Sequence, residues 1–218
     1  MPITAMKGFT MSPATGRSPW GPLSTALRLL LIMTVLLGVA YPLAMVGLGR
    51  LVAPAQAAGS LVRDGSGEVV GSALIGQSYL LADGSPDPRC FQPRPSAAGD
   101  GYDAMSSGGS NLGPTNPELV EAIRERRAAV AAFEGVEPAT VPADAVTASA
   151  SGLDPDISPE YAALQLPRVA RERGLAEEEV RALVEAATDR PWVVLPGQAR
   201  VNVLRLNASL EAASGSSR

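Results

Sequence analysis

The sequence lacks histidine entirely and contains one cysteine, Cys90, and one lysine, Lys7. Catalytic systems of the Ser-His-Asp, Cys-His or Ser-Lys type need one of these partners beside the nucleophile. They are therefore excluded from the long region that follows Lys7. Without histidine and with one thiol, neither an imidazole nor a thiolate zinc site can be assembled, and no intrachain disulfide can form. Carboxylates are the only conventional acid–base groups left.

Aromatic residues are also scarce, at 4% of the chain, so a core must be built from Val, Leu, Ile and Ala. All 22 acidic residues follow position 50, whereas four of the 18 basic residues precede position 51. The 168 residues after Arg50 therefore carry a net charge of −8 and are enough for one domain. This charge disfavours binding to nucleic acid or anionic lipid and favours cations.

One apolar run stands out, the 21 uncharged residues Leu29–Gly49. As an α-helix it would span roughly 32 Å, against about 30 Å for the hydrocarbon core of a membrane. A cleaved signal peptide is the alternative, with Ala55-Gln56-Ala57 as the cleavage pattern. Its apolar region would usually be only about 7–15 residues long. We therefore predict a retained transmembrane helix over residues 25–50.

Flanking charges set the predicted orientation of this helix. Residues 1–28 contain three basic residues and no acidic one. Basic flanks stay in the cytoplasm. We therefore expect a plasma-membrane protein whose N-terminus lies in the cytoplasm and whose residues 51–218 lie outside it. Pro42 removes a backbone donor and predicts a kink. Gly38, Pro42 and Gly47 are candidate positions for packing against another membrane helix, although small residues are common in such helices anyway.

The rest of the chain reads as one small α/β domain. We predict a disordered N-terminus over 1–24, a linker over 51–60, the α/β domain over 61–212 and a flexible tail over 213–218. Expected strands are Val69-Val70, Leu74-Ile75 and 201–206, with an extended stretch over 139–146. The first expected helix is 117–133, with Thr115 as its cap. The second is 159–173, with Ser158 as its cap and a kink or break at Pro167. A third is expected over 175–187, and a last one is expected to be capped by Asn207.

Two polar clusters are candidate functional sites. The loop containing Ser106, Ser107, Ser110 and Asn111 lacks a phosphate-binding motif and is expected to contact a partner. Asp154 and Asp156 flank a proline at the mouth of a helix. They could form an acid–base pair, supply two ligands to a hard cation, attract cations near a subunit contact, or form an Asx turn.

Several ordered motifs resemble the C subunit family of Kdp-type potassium-transporting ATPases over about residues 25–212. They are GSALIGQ (71–77), RPSAA (94–98), SSGGSNLGPTNP (106–117), VPADAVTASASGLDPDISPEYAALQLPRVARERGL (141–175) and RVNVLRLN (200–207). The resemblance implies a single-helix subunit needed for assembly of a high-affinity potassium uptake complex. Its implied partners are a channel-like potassium-conducting subunit, a P-type ATP-hydrolysing subunit and membrane lipid.

The resemblance assigns no catalytic residue, metal or cofactor to this chain, because ATP and potassium are handled at the level of the complex. The family's C subunit has also been proposed to raise the ATP affinity of the P-type subunit. Two other functions stay open from the residues alone. One is a membrane-anchored hydrolase using Asp154, Asp156, Asp100 or Asp103, and the other is a cleaved, soluble binding protein.

The retained helix makes a testable prediction about the mature chain. Intact-mass measurement of the protein extracted from membranes should give a chain that still contains Leu29–Gly49, because that segment anchors it. A mature chain that begins just after Ala57 would contradict this prediction and favour the signal peptide.

Overall fold

The computed structural model describes residues 20–190 and 197–215, so most of the predicted disordered N-terminus and the last three residues lie outside the described residues. The chain divides into two compact units, Met1–Ala57 and Ala58–Arg218.

The first unit contains a long helix, Trp20–Val52. It consists of α1 (Trp20–Val35), a π-helical turn (Leu36–Ala40) and α2 (Tyr41–Val52), and the short α3 (Pro54–Ala57) follows. The long helix has a mean hydropathy of 2.4 and none of its side chains is buried within the protein. It is the one helix in the described residues that is long and apolar enough to cross a membrane. The predicted linker therefore begins in helix.

The disturbance expected at Pro42 takes the form of the π turn just before it. The Tyr41 N–H donates to the carbonyl of Leu36, five residues back. In an α-helix the ring of Pro42 would clash with the carbonyl of Gly38, four residues back, and a wider turn accommodates it.

In its described residues, the second unit contains two small antiparallel sheets and four α-helices. The first sheet pairs β1 (Leu61–Arg63) with β2 (Val69–Ser72). The second has the order β3-β5-β4, formed by β3 (Asp156–Ile157), β4 (Thr188–Asp189) and β5 (Arg200–Asn202). The helices are α4 (Pro117–Glu134), α5 (Pro159–Arg173), α6 (Glu177–Ala186) and α7 (Val203–Gly215). This is a mixed helix and strand domain, as predicted.

Several predicted elements are wrong in detail. Leu74-Ile75 lies in a turn, and the partner of β2 is β1, which the sequence did not indicate. Residues 139–146 contain two 3₁₀ turns, Pro138–Thr140 and Ala143–Ala145, instead of an extended stretch. The last helix begins at Val203, so Asn207 lies inside it instead of capping it. Residues 213–215 of the predicted tail belong to the same helix.

The caps of α4 and α5 show which local signals were read correctly. Asn116, not Thr115, caps α4, because its side chain accepts a hydrogen bond from the Glu118 N–H at 2.8 Å. Its extended backbone, φ −70° and ψ 126°, is the conformation favoured before a proline and at an N-cap. The cap of α5 is confirmed: Ser158 Oγ accepts from the Tyr161 N–H at 3.0 Å.

Helix α5 runs unbroken through Pro167, so of the predicted kink or break the break is wrong and the kink stays a prediction. The carbonyl that Pro167 leaves without a donor is that of Ala163. Both residues are exposed, so solvent can satisfy it. Leu166, Val169 and Ala170 of the same helix are buried in the core.

The core of the second unit is closed by side-chain amides that pair with backbone. Asn207 of α7 accepts from the Phe91 N–H at 2.9 Å and donates to the Phe91 carbonyl at 3.0 Å. Gln165 of α5 pairs in the same way with Gln92, at 2.6 and 3.0 Å. The backbone of the 88–92 segment is thus paired as it would be in a sheet, but its partners are side-chain amides of two helices. This brings the fully buried ring of Phe91 into the core.

A buried ion pair joins α4 to α5. Arg168 Nε lies 3.0 Å from Glu134 Oε2, and both side chains are at most 2% exposed. The same guanidinium donates to the carbonyls of Pro88 and Cys90 and to Gln165, and it lies 4.5 Å from the centre of the Phe133 ring. Burial raises the pKa of Glu134, although the Arg168 guanidinium acts in the opposite direction.

Asn207→Ala should lower the free energy of unfolding by about 2–5 kcal/mol, because the buried N–H and carbonyl of Phe91 lose their partners. Denaturant titration of the full chain in detergent measures the change. Ser209→Ala is the control, since Ser209 is exposed on the same helix and should change stability by less than about 0.5 kcal/mol. Equal effects of the two variants would contradict the role of Asn207.

Candidate functional site

Three loops of the second unit are hydrogen-bonded into one surface, which we call the three-loop surface: residues 94–103, 106–111 and 147–156. The Ser149 N–H donates to the Pro95 carbonyl at 2.9 Å. Ser96 Oγ donates to the Gly152 carbonyl at 2.6 Å. The third loop joins through the Gly108 N–H, which lies 2.8 Å from the Ser151 carbonyl. Backbone bonds between loops fix their relative positions.

Gly152 lies where the three loops approach most closely. Its φ is +70°, a region that side chains disfavour. A Cβ there would lie 2.6 Å from both the Gly108 carbonyl oxygen and Ala98 Cβ. Only glycine fits between these two loops without moving them.

An ion pair within the surface joins the first loop to the third. Arg94 Nη1 lies 2.9 Å from Asp154 Oδ2, and the two side chains are 25% and 32% exposed. The Tyr102 hydroxyl donates to the Arg94 carbonyl at 2.8 Å. Burial raises the pKa of Tyr102, so its hydroxyl stays protonated and remains a donor.

Asp156 extends this network toward the second sheet. Its N–H donates to Asp154 Oδ1 at 3.1 Å, so the Asx-turn interpretation of this pair is confirmed. Its own carboxylate accepts from Asn202 Nδ2 at 3.0 Å and lies 3.2 Å from Arg200 Nε. Burial raises the pKa of Asp156, although the Asn202 bond and the Arg200 charge favour its ionised form.

A cleft of about 290 Å³ opens beside these groups, lined by three aspartates and two arginines among others: Asp144, Asp154, Asp156, Arg94 and Arg200. Asp144 is engaged by Ser158, whose N–H and hydroxyl lie 2.7 and 2.8 Å from its two oxygens. Within the described residues, no group of three or more Cys, Asp or Glu has a geometry that could hold a metal ion. Neither Asp100 nor Asp103 lines the cleft, and Asp103 instead accepts from the Met105 N–H.

The serine-rich loop presents its polar groups at the edge of the three-loop surface. Ser107 Oγ donates to the Ser151 carbonyl at 2.8 Å, and the Ser106 N–H donates to the Asp103 carbonyl at 3.0 Å. Ser110 and Asn111 are exposed, and Asn111 has a φ of +53°. Neighbouring Met105 is 95% exposed. Methionine is enriched at protein interfaces, whereas polar groups such as these are found mainly at the rim of an interface.

Sequence reasoning missed the groups that hold this surface together. Arg94 lies in the quoted motif RPSAA and was not singled out. Asn202 had no local signal, because its partner Asp156 lies 46 positions away. Tyr102 bonds the backbone of Arg94, eight positions back, and no residue pattern indicates such a bond. Cys90 is buried, with Sγ 3.8 Å from Arg173 Nη2, and burial raises the pKa of its thiol. A thiol with a raised pKa is a poor nucleophile.

The three candidate packing residues of the first unit have open surroundings. A Cβ on Gly47 would meet nothing within 4 Å, and one on Gly38 would meet only Thr34 Cγ2 at 4.0 Å. Pro42 is the second residue of α2, one residue after the π turn.

Comparison with known families shows which family contains both an apolar helix and a domain of this sequence. Residues 23–212, which include the uncharged run Leu29–Gly49 and the three-loop surface, match the model of the family described as KdpC: K+-transporting ATPase, c chain. The chain belongs to the KdpC family. The resemblance seen in the motifs is therefore confirmed.

Relatives in the KdpC family cover nearly the whole chain. A potassium-transporting ATPase KdpC subunit of Polaromonas naphthalenivorans is 54% identical over 192 residues, which are 87% of this chain and 94% of the relative. A KdpC subunit of Caulobacter vibrioides is 52% identical, over 83% of this chain and 88% of the relative. One from Kineococcus radiotolerans is 52% identical, over 87% and 93%.

The close approach at Gly152 gives a matched pair of variants. Gly152→Ala and Gly84→Ala both place a side chain at positive φ, +70° and +82°, but nothing lies within 4 Å of a Cβ at Gly84. Gly84→Ala should cost about 1–2 kcal/mol in denaturant titration, and Gly152→Ala a further ~1–3 kcal/mol because loops must separate. If both variants lose the same stability, the packing of the loops does not depend on Gly152.

Proposed function

We propose that this chain is a non-catalytic accessory subunit that supports assembly of a potassium uptake complex and its potassium affinity. Membership in the KdpC family carries the proposal, because its members are named as subunits of a potassium-transporting ATPase. The proposed partners are the channel-like subunit that conducts potassium and the P-type subunit that hydrolyses ATP.

The proposed topology has the N-terminus in the cytoplasm and the second unit outside. The apolar helix Trp20–Val52 supports a single-pass anchor. The charge before it supports the orientation, since residues 1–28 carry Lys7, Arg17 and Arg28 and no acidic residue. In this topology the second unit cannot reach cytoplasmic ATP, so any effect on ATP affinity passes through the anchor or through assembly of the complex.

The three-loop surface is the proposed contact with the channel-like subunit. Its loops are fixed by backbone hydrogen bonds and by the Arg94–Asp154 pair, so they lose little conformational entropy on binding. Ser106, Ser107, Ser110 and Asn111 supply exposed polar groups, and Met105 supplies exposed apolar area. In an interface, the methionine would belong to the apolar centre and the polar groups to the rim.

Cation attraction is a second candidate role, supported by the net charge of −8 after residue 50. At the surface itself, Asp154 is paired with Arg94 and Asp156 with Arg200, so the local charge is largely neutralised. Attraction from the remaining charge is screened beyond about 8 Å at physiological ionic strength. The geometry therefore supports the contact role better.

Co-purification tests the subunit assignment. The full chain with an affinity tag, expressed with the other subunits of its complex and extracted in mild detergent, should recover a P-type ATPase and a channel-like subunit. Recovery of neither subunit would contradict the proposed function.

Charge variants separate the contact role from cation attraction. Asp154→Asn removes the ion pair and one negative charge, whereas Arg94→Gln with Asp154→Asn removes the pair at constant net charge. The contact role predicts that both variants lower the recovery of the channel-like subunit by up to about fivefold, since a partly exposed pair contributes up to about 1 kcal/mol.

Cation attraction predicts a different pattern for the same variants. In Asp154→Asn, the apparent potassium affinity would fall by a larger factor than the maximum ATPase rate. The double variant would restore the potassium affinity. Asp103→Asn is the control, because this exposed aspartate contributes equally to net charge but lies outside the ion pair.

A further inference from the structure

The backbone hydrogen-bond ladder is interrupted inside the apolar helix. The Tyr41 N–H donates to the Leu36 carbonyl, five residues back, and not to the Leu37 carbonyl, four residues back. A π turn would pair the Leu37 carbonyl with the N–H of the residue five positions later. That residue is Pro42, which has no N–H. The Leu37 carbonyl therefore lacks both backbone donors that an α or a π turn would give it.

This free carbonyl lies at the centre of the uncharged run. Leu37 is two residues from Val39, the midpoint of Leu29–Gly49, and so about 3 Å from it along the axis. A carbonyl at the middle of the hydrocarbon core has no water or head group to bind, and leaving it unpaired is costly.

The helix itself offers no suitable donor. The polar side chains of Leu29–Gly49 are Thr34 and Tyr41. A threonine hydroxyl in a helix bonds a carbonyl three or four residues back, which for Thr34 points away from Leu37. The phenol group of Tyr41 is carried at the far end of its ring. The donor must come from another molecule.

The neighbouring residue leaves room for that molecule. Gly38 follows the free carbonyl, and a Cβ there would meet only Thr34 Cγ2 at 4.0 Å. Small residues allow two membrane helices to approach closely enough for hydrogen bonds between them.

We infer that the Leu37 carbonyl accepts a hydrogen bond from a side-chain O–H or N–H on a transmembrane helix of another subunit, which approaches over Gly38. The inference rests on the proposed function, because that function supplies other membrane subunits. Pro42 then has a defined purpose: it keeps a backbone acceptor available in the middle of the anchor.

The test uses the tagged full chain co-expressed with the other subunits and measures how much partner is retained during extended washing in detergent. Pro42→Ala restores an N–H and lets the helix close its own ladder, so retention should fall by about three- to tenfold, the effect of one hydrogen bond between membrane helices. Gly38→Leu should give a similar loss by blocking the approach.

Two controls isolate the acceptor. Ala40→Leu adds the same bulk two positions on, and so on the opposite side of the helix, and should leave retention unchanged. Pro54→Ala removes a proline from the first turn of α3, outside the apolar run, and should also leave it unchanged. A photo-crosslinker at position 38 should attach to another subunit of the complex.

The outcomes separate this inference from the proposed function. Wild-type recovery of partners with unchanged retention in Pro42→Ala overturns the inference and leaves the function standing. Equal losses in Gly38→Leu and Ala40→Leu overturn it as well, as does crosslinking at position 38 only to a second copy of this chain. If the wild-type chain recovers no partner, the proposed function itself fails.

Discussion

The fold of the second unit depends on one buried guanidinium. Arg168 pairs with Glu134 and also donates to the carbonyls of Pro88 and Cys90 and to Gln165. A buried charge is tolerated only when its partners satisfy it, and removing one partner of such a pair typically costs about 3–5 kcal/mol. Arg168 therefore joins α4, α5 and the 88–92 segment in a single network, which a small core with few aromatic rings needs.

The same network determines where the three-loop surface forms. Gln165 and Asn207 hold Gln92 and Phe91 by their backbones, and Arg94 follows two residues later. The position of Arg94 relative to Asp154 is thus inherited from helices α5 and α7. Because the surface is built on groups fixed in the core, its loops keep their arrangement without regular secondary structure.

Local signals in the sequence predicted local structure. Ser158, Pro159 and Gly174 correctly bound α5, and the uncharged run correctly predicted the long apolar helix. The role of Asn207 was missed because it depends on a distant contact, a bond to a residue 116 positions away. Strand β1 was missed although its partner β2 follows after a short turn. The polar loops were recognised as a candidate site, but Arg94, which fixes them, has its partner 60 positions along the chain. The family itself was recognisable because its motifs are continuous stretches.

The extreme shortness of the strands limits how copies of this domain can associate. The longest strand in the described residues has four residues, and side-chain amides replace part of the usual ladder. An open sheet edge can recruit a strand from a neighbouring chain, and long flat edges are the main hazard. In its described residues this domain offers very little such edge, so neighbouring copies have almost no template for stacking into fibrils.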